Sequence, residues 1–223
     1  VVGALALAVI VSNDDGDAMQ TEGPSSSSTA DATTTTTLVT TTGALPTEPS
    51  GPRKIGADTP LRPEGIGPIQ AGMTVAEARA ASGLSLTPDD SFGQFGGFCY
   101  YVDLEGQPDL AIRVHSPGDQ PVRDPDDGVI SAITIYALDP DGPSTRQTTA
   151  RIGLGASETQ VRAAHGDAVE ERPHDYTPGG AYLFVHPADA PGFGIRYVVD
   201  EDRIVTSIDV GDAGGITAPE GCA

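Results

Sequence analysis

The pattern of hydrophobic and polar positions changes twice along the chain. Residues 1–11 are apolar, residues 12–60 are rich in Ser, Thr and Pro without an aromatic residue, and residues 61–223 carry short β-branched and aromatic runs separated by Gly, Pro and Asp. A stretch as polar as the second cannot offset its chain entropy by burial, so it is predicted to be a disordered linker. The third pattern is typical of strands joined by hairpins.

The first segment is shorter than the roughly 20 residues that cross a bilayer. It begins at residue 1 without Met, so we interpret it as the end of a longer apolar segment, either a membrane anchor or a signal peptide. No small-x-small cleavage pattern follows it, which favours the anchor. A buried strand is the alternative. The Ser/Thr/Pro-rich linker then serves as a stalk, either O-glycosylated or unmodified.

Two phrases in the folded region match each other. GMTVAEARAASG spans residues 72–83 and GASETQVRAAHG spans residues 155–166. Thr-x-x-Glu in one and Ser-x-x-Gln in the other have the spacing of a capping box, so each phrase predicts a helix of about two turns. The closing Gly83 and Gly166 stand where a left-handed residue ends a helix.

Three short runs follow each predicted helix and read as antiparallel strands. They are 99–102, 111–114 and 129–135 after the first helix, and 182–185, 194–197 and 204–210 after the second. The predicted fold class is α+β, with two tandem helix-plus-antiparallel-sheet repeats over 61–147 and 148–223 that form one folded unit.

The two cysteines, Cys99 and Cys222, fit no metal-binding motif. In an exported domain they would form a disulfide that ties the C-terminus to the first repeat. Two free thiols in a reducing cytosol are the alternative, which the stalk makes less favourable.

The tandem G-M-T-x-x-E pattern resembles the secreted β-lactamase inhibitor protein and the small outer-membrane assembly lipoproteins of SmpA/OmlA type. GIGPIQAGMTVAEARAASG, RIGLGASETQVRAAHG, YTPGGAYLFV and the terminal EGC also resemble a family of uncharacterised exported actinobacterial proteins. The resemblance covers about Gly65 to Cys222. It implies a bacterial protein that binds a partner rather than one that catalyses a reaction.

The net charge of the chain limits the classes of partner that it can bind. The chain has 12 Lys and Arg against 32 Asp and Glu, a net charge of −20. Nucleic acid is excluded because its binders need a basic stripe, and anionic lipid is disfavoured for the same reason. Membrane contact is therefore expected only through the N-terminal segment, and the folded region is expected on the outer side of the cell membrane or secreted.

Catalytic motifs are absent from the sequence: it contains no G-x-S-x-G, H-E-x-x-H, P-loop or dinucleotide-binding turn. We therefore predict no enzyme activity and no cofactor. His165, next to a helix end, is interpreted as a cation that favours the helix dipole. A cell-wall hydrolase that uses Asp103 or Glu105 with His186 is the alternative.

No metal site is predicted, and the one candidate is the DPDDG cluster of Asp124, Asp126 and Asp127. Alternating carboxylates near Gly can bind Ca²⁺, but the closing Glu of an EF-hand loop is missing. Asp-Pro and Asp-Gly are also ordinary turn sequences, which is the preferred interpretation.

Tyr and Arg dominate binding hot spots, so those on strands are the candidate binding residues. They are Tyr100, Tyr101, Arg113, Tyr182 and Arg196. For the arginines, local ion pairing is the alternative. The predicted function is an extracytoplasmic binding module for a protein or cell-envelope component. Besides the hydrolase, a purely structural acidic spacer is the remaining alternative.

Overall fold

The computed structural model describes residues 55–136, 144–218 and 221–222. The predicted apolar segment 1–11 and the linker up to residue 54 lie outside the described residues. Within the described ranges, no helix is both long enough and apolar enough to cross a membrane.

A small sheet and one half of a large sheet come first in the chain. The small sheet contains β1 (Leu61–Arg62), β2 (Gly65–Ile66) and β3 (Ile69–Gln70). Next come α1 (Val75–Ser82), β4 (Leu86–Pro88), α2 (Ser91–Gln94), β5 (Cys99–Leu104), β6 (Leu110–His115), a short 3₁₀ helix (Pro125–Asp127) and β7 (Val129–Tyr136).

The other half also has a helix followed by four strands. It contains α3 (Glu158–His165), a 3₁₀ turn (Gly166–Ala168), β8 (Val169–Pro173), β9 (Ala181–Val185), β10 (Phe193–Val199), β11 (Val205–Asp212) and α4 (Ala213–Thr217). The eight strands β4 to β11 form one antiparallel sheet in the order β4-β5-β6-β7-β11-β10-β9-β8. The mixed fold, with few short helices and mostly antiparallel sheet, is as predicted.

Four strands follow each of α1 and α3, where the sequence pattern predicted three. The additional strands are β4, with sequence LTP, and β8, with sequence VEERP, and they form the two edges of the large sheet. Proline and charged residues are typical of edge strands, because they discourage pairing with another chain. They also remove the β-branched pattern by which a strand is recognised.

Both helix starts are confirmed as capping boxes. At α1, the backbone N–H of Glu77 donates to the Thr74 hydroxyl (3.2 Å) and that of Thr74 donates to the Glu77 carboxylate (2.9 Å). The same two bonds join Ser157 and Gln160 at α3, at 3.3 and 2.8 Å. The helix ends differ: Gly83 is left-handed (φ 68°, ψ 15°), whereas Gly166 combines φ 58° with ψ −136°, outside the predicted conformation.

One face of the large sheet, the inner face, carries the hydrophobic core. Val75 and Ala78 of α1 and Val161 of α3 pack against it. Ile55 belongs to the same core and is 5% exposed. Its carbonyl and that of Gly56 accept side-chain hydrogen bonds from Gln107 (3.3 Å) and Arg146 (2.7 Å). The folded region therefore begins by residue 55, and the predicted linker boundary at residue 60 is too late.

The surroundings of His165 disfavour the cation that the sequence suggested. Its Nε2 lies 2.8 Å from the hydroxyl of Tyr197, which is fully buried in the core. Burial lowers the pKa of His165 below its ordinary value, because the charged imidazolium loses solvation. The half-buried ring acts as a hydrogen-bonding group at the edge of the core.

The opposite face, called the open face below, carries α4 and the C-terminus. Cys99 and Cys222 form the predicted disulfide and join positions 123 residues apart. Helix α4 packs on β7, β10 and β11. A side chain at Gly194 of β10 would collide with Ile216 of α4, and one at Gly215 of α4 would collide with the Ser131 backbone of β7. Close approach of this kind requires glycine.

Candidate functional site

The open face displays three rows of side chains, because successive residues of a strand point to opposite faces. One row runs Tyr101, Arg113, Ala132, Gly211, Gly194 across β5, β6, β7, β11 and β10. The next runs Asp103, Ala111, Thr134, Asp209, Arg196, Phe184 and ends on β9. The third runs Tyr136, Ser207, Val198, Tyr182.

Small side chains in these rows lie among larger ones and leave a pocket of about 490 Å³, called the open-face pocket. Its lining includes Ala111, Thr134 and Ser207, which are too short to fill the space above the sheet. Larger polar and aromatic side chains line the rest, together with Gly221 of the disulfide-linked C-terminal segment. Strands from both halves of the sheet contribute to the lining.

Four of the five predicted binding residues line this pocket: Tyr101, Arg113, Tyr182 and Arg196. Tyr100 does not, and its assignment as a binding residue is wrong. It lies on the inner face with no exposed surface, and its hydroxyl donates to the Pro125 carbonyl. Burial raises the pKa of Tyr100 to about 12. The adjacent Tyr101 points the other way and lines the pocket.

Arg196 is held by an ion pair and a hydrogen bond within the protein. Its Nε donates to the Asp209 carboxylate (2.9 Å) and its Nη1 donates to the Ala218 carbonyl (3.0 Å). Asp209 also accepts a hydrogen bond from the Thr134 hydroxyl (2.6 Å). Both partners of the ion pair are buried, with 7% and 3% of their side chains exposed. For this arginine, the predicted alternative of local ion pairing applies.

Arg113, on β6, has hydrogen-bond partners for only some of its donors. It is 2% exposed, its Nη2 donates to the Gly215 carbonyl, and its Nε has no hydrogen-bond partner. Within the described ranges, arginine ion pairs are formed by Arg62, Arg79, Arg146, Arg162, Arg172, Arg196 and Arg203, but not by Arg113. A buried donor left without a partner costs about 1–3 kcal/mol.

Beside Arg113 lies an acidic corner, formed by Asp89, Asp103, Tyr101 and Tyr136. Burial raises the pKa of Tyr136, and the nearby charge of Asp103 adds to the effect. Asp89 accepts a hydrogen bond from the Ser91 backbone (2.9 Å). Neither Asp89 nor Asp103 takes part in an ion pair with a described basic residue.

The far side of the pocket is aromatic. The ring of His174 stacks on Tyr182 at 4.6 Å between centroids. The Arg196 guanidinium also lies over the Tyr182 ring, 5.2 Å from its centroid. Tyr176, which also lines the pocket, is 61% exposed. Its open position makes it an accessible contact for a ligand.

Sequence reasoning missed several pocket residues. Asp103 entered only as an alternative catalytic acid, and Tyr136 was not singled out. Alternation along the strands could have found both, since Asp103 follows Tyr101 by two positions and Tyr136 follows Thr134 by two. Asp89 and His174 lie in loops, where no periodic signal indicates which way a side chain points.

The acid and base of the alternative hydrolase are not brought together. Asp103 lines the open-face pocket, whereas Glu105 and His186 are outside its lining. His186 is exposed and stacks on Phe184 at 6.4 Å. The geometry therefore supplies no acid–base pair of these residues.

The DPDDG cluster forms a turn. The Asp124 side chain accepts from the Asp126 backbone N–H (3.0 Å) and begins the short 3₁₀ helix, while Asp126 pairs with Arg79. Across the described ranges, no group of three or more His, Cys, Asp or Glu side chains is placed to hold a metal ion. The hydrogen bonds of the turn account for the residue types in this cluster.

No protein-family model, curated protein or solved structure matches this chain. Its function must therefore be inferred from the chemistry of the open-face pocket.

Proposed function

We propose that this protein is a non-enzymatic binding module, tethered to the outer side of a bacterial membrane or secreted. Its partner is a protein or cell-envelope component that contacts the open-face pocket. The observation that carries the proposal is the convergence of Tyr101, Arg113, Tyr182 and Arg196, from four strands, on one concave surface. Tyrosine and arginine in a partly desolvated pocket are the residues that contribute most to binding.

We also infer that the two halves of the large sheet are copies of one ancestral unit. Supporting this, the order β4-β5-β6-β7-β11-β10-β9-β8 runs outward in the same way from the β7–β11 pairing. A capping-box helix precedes each set of four strands. The resemblance to tandem binding modules rests on this inference. A pocket that needs strands of both copies explains why one copy would not suffice.

An extracytoplasmic location is supported by the Cys99–Cys222 disulfide, because such bonds persist in oxidising compartments. The apolar segment at residues 1–11 supports attachment to a membrane. Both features are required if the stalk is to present the pocket to the cell envelope.

The two other functions have less support. The hydrolase considered above needs His186 beside Asp103 or Glu105, and His186 is outside the open-face pocket that contains Asp103. An acidic spacer needs a featureless polar surface, whereas the open face carries aromatic side chains and a buried arginine without a carboxylate partner among the described residues.

A cross-linking pull-down from the native envelope, with the oxidised protein as bait, tests the proposal. The wild type should capture one stoichiometric partner, and Tyr101→Ser should lose it because the variant removes a pocket-lining ring. Phe98→Ser is the matched control, since Phe98 is a 50% exposed aromatic outside the pocket lining. Capture that is absent, or equal for the two variants, would contradict the proposal.

A further inference from the structure

We propose that the open-face pocket takes a small zwitterion: an amino acid, or the end of a peptide, whose ammonium and carboxylate groups are a few ångströms apart. This inference rests on the proposed function of the pocket and names the chemical class of its ligand. It is carried by two neighbouring groups of opposite charge, each lacking an ionic partner among the described residues.

The ammonium group is recognised at the acidic corner. Asp103 is exposed and Asp89 is half-buried, so both carboxylates are accessible from the pocket. The rings of Tyr101 and Tyr136 beside them can stabilise a cation through their faces. The net charge of −20 also raises the concentration of cations near the surface.

The carboxylate group is recognised by Arg113. This arginine carries a buried positive charge, and its Nε donor lacks a hydrogen-bond partner. Burying a charged group is unfavourable unless it is paired and hydrogen-bonded. In a chain with 32 acidic residues against 12 basic ones, a buried arginine without an ion pair to a described carboxylate can receive the carboxylate of a ligand. A guanidinium matches the planar geometry of a carboxylate.

The sheet register sets the separation of the two groups. Tyr101 lies directly opposite Arg113, and Asp103 lies opposite Ala111. The diagonal from Asp103 to Arg113 is therefore about 7–8 Å between Cα atoms. Ala111 contributes only a methyl group between them, so the space above it is open. The side chains of Asp103 and Arg113 extend over this space from opposite sides and leave room between them for the backbone of an amino acid.

A ligand of one charge would satisfy only half of this site. A simple amine leaves Arg113 without its anion, and a simple carboxylate is repelled by Asp89 and Asp103. Arg196 differs from Arg113 because its charge is already paired with Asp209, which accepts from its Nε, and its Nη1 donates to the Ala218 carbonyl. Discrimination for the zwitterion follows from this division of partners.

Isothermal titration calorimetry on the full oxidised chain tests the inference. The probes are glycine, β-alanine, γ-aminobutyrate and alanylalanine, which vary the spacing of the charges and separate a free amino acid from a peptide end. Propylamine and propionate are the single-charge controls. At least one zwitterion should bind at a single site about tenfold or more tightly than either control, a difference of about 1.4 kcal/mol.

Variants assign the two ends. Asp103→Asn should weaken zwitterion binding about tenfold, again about 1.4 kcal/mol, and should fold normally because Asp103 is exposed. Arg113→Lys keeps a positive charge but removes Nε, so it should weaken the zwitterion and leave propylamine binding unchanged. Glu105→Gln is the matched control, since Glu105 is an exposed carboxylate outside the pocket lining.

Three results would overturn the inference: no binding by any zwitterion, equal binding by propylamine, or equal effects of Asp103→Asn and Glu105→Gln. A partner that is captured through Tyr101 while no zwitterion binds would leave the proposed function standing and reject the ligand class. Zwitterion binding without any captured macromolecule would do the reverse, since the pocket would then serve a free small molecule.

Discussion

The two halves of the large sheet each contain a buried arginine, and the two arginines have different partners. On β10, Arg196 is paired with Asp209 and donates to Ala218; on β6, Arg113 has no described ionic partner. The buried arginine of the second half therefore has a carboxylate partner within the protein. In the first half, Arg113 and the carboxylates of the acidic corner have no ionic partner among the described residues. Under the ligand class proposed above, the paired Arg196 of the second half stabilises the pocket, whereas Arg113 and the acidic corner of the first half contact the charged groups of the ligand.

The helices repeat this contrast. Around α3, Glu158 and Glu171 each pair with both Arg162 and Arg203, so four side chains form one network. Around α1, the pair Arg79–Asp126 is the corresponding contact. The second half is therefore stabilised by ion pairs on both faces of its sheet.

Breaking the buried ion pair between Arg196 and Asp209 should cause the greatest loss of stability. Asp209→Asn leaves Arg196 buried with a neutral partner, and removing one partner of a buried ion pair costs about 3–5 kcal/mol. Asp103→Asn, an exposed carboxylate of the first half, should change the free energy of unfolding by less than about 0.5 kcal/mol. Guanidinium denaturation at pH 7 with the disulfide intact measures both. Losses of similar size would contradict the contrast between the halves.

Much of this contrast could be read from the sequence, because it depends on alternation along strands. The matched helix phrases located both capping boxes, and the strand runs located Arg113 and Arg196. Tyr100 was misassigned although a signal was present: Val102 and Leu104 continue its alternation into the core. A shift of one residue moves a side chain to the opposite face, so adjacent tyrosines have opposite environments.

Helix α4 could not be predicted from its sequence. AGGIT contains two glycines, which disfavour a helix. The helix exists because Arg113 and Arg196 donate to the Gly215 and Ala218 carbonyls, and because the nearby Cys222 is held by the disulfide. These are contacts between residues far apart in the chain. Local propensity carries no information about them.

Removing a carboxylate from the ion-pair network at α3 should cause a stability loss of intermediate size, larger than the loss from the single pair at α1. Hydrogen bonds from Arg203 and Arg162 lower the pKa of Glu158 to about 2, from an ordinary value of 4.5. A lowered carboxyl pKa contributes stability that is present above pH 4.5 and is lost as the pH falls toward 2. Glu158→Gln should therefore lower the free energy of unfolding by about 1–2 kcal/mol at pH 7, since the hydrogen bonds are charge-assisted, and by much less near pH 2.

Urea denaturation of wild type and Glu158→Gln across this pH range measures the difference. Asp126→Asn is the counterpart in the first half and should cost only about 0.5 kcal/mol, because it removes a single partly exposed pair. Glu105→Gln serves as a carboxylate without a described ion pair. A Glu158→Gln difference that stays constant from pH 7 to pH 2 would reject the proposed origin of the stability.

Removing the N-cap of α1 or of α3 should lower the free energy of unfolding by nearly the same amount in the two halves. Thr74→Ala and Ser157→Ala each remove a cap that accepts one backbone N–H, so each should cost about 1 kcal/mol. The two capping boxes have closely similar bonds, at 3.2 and 2.9 Å in α1 and 3.3 and 2.8 Å in α3. Thr159→Ala, an exposed position inside α3, is the control and should be neutral or slightly stabilising, because alanine is the better helix former. Thermal unfolding measures all three. A cap in α3 that costs several times the cap in α1 would mean that the halves differ in helix stability as well as in charge pairing.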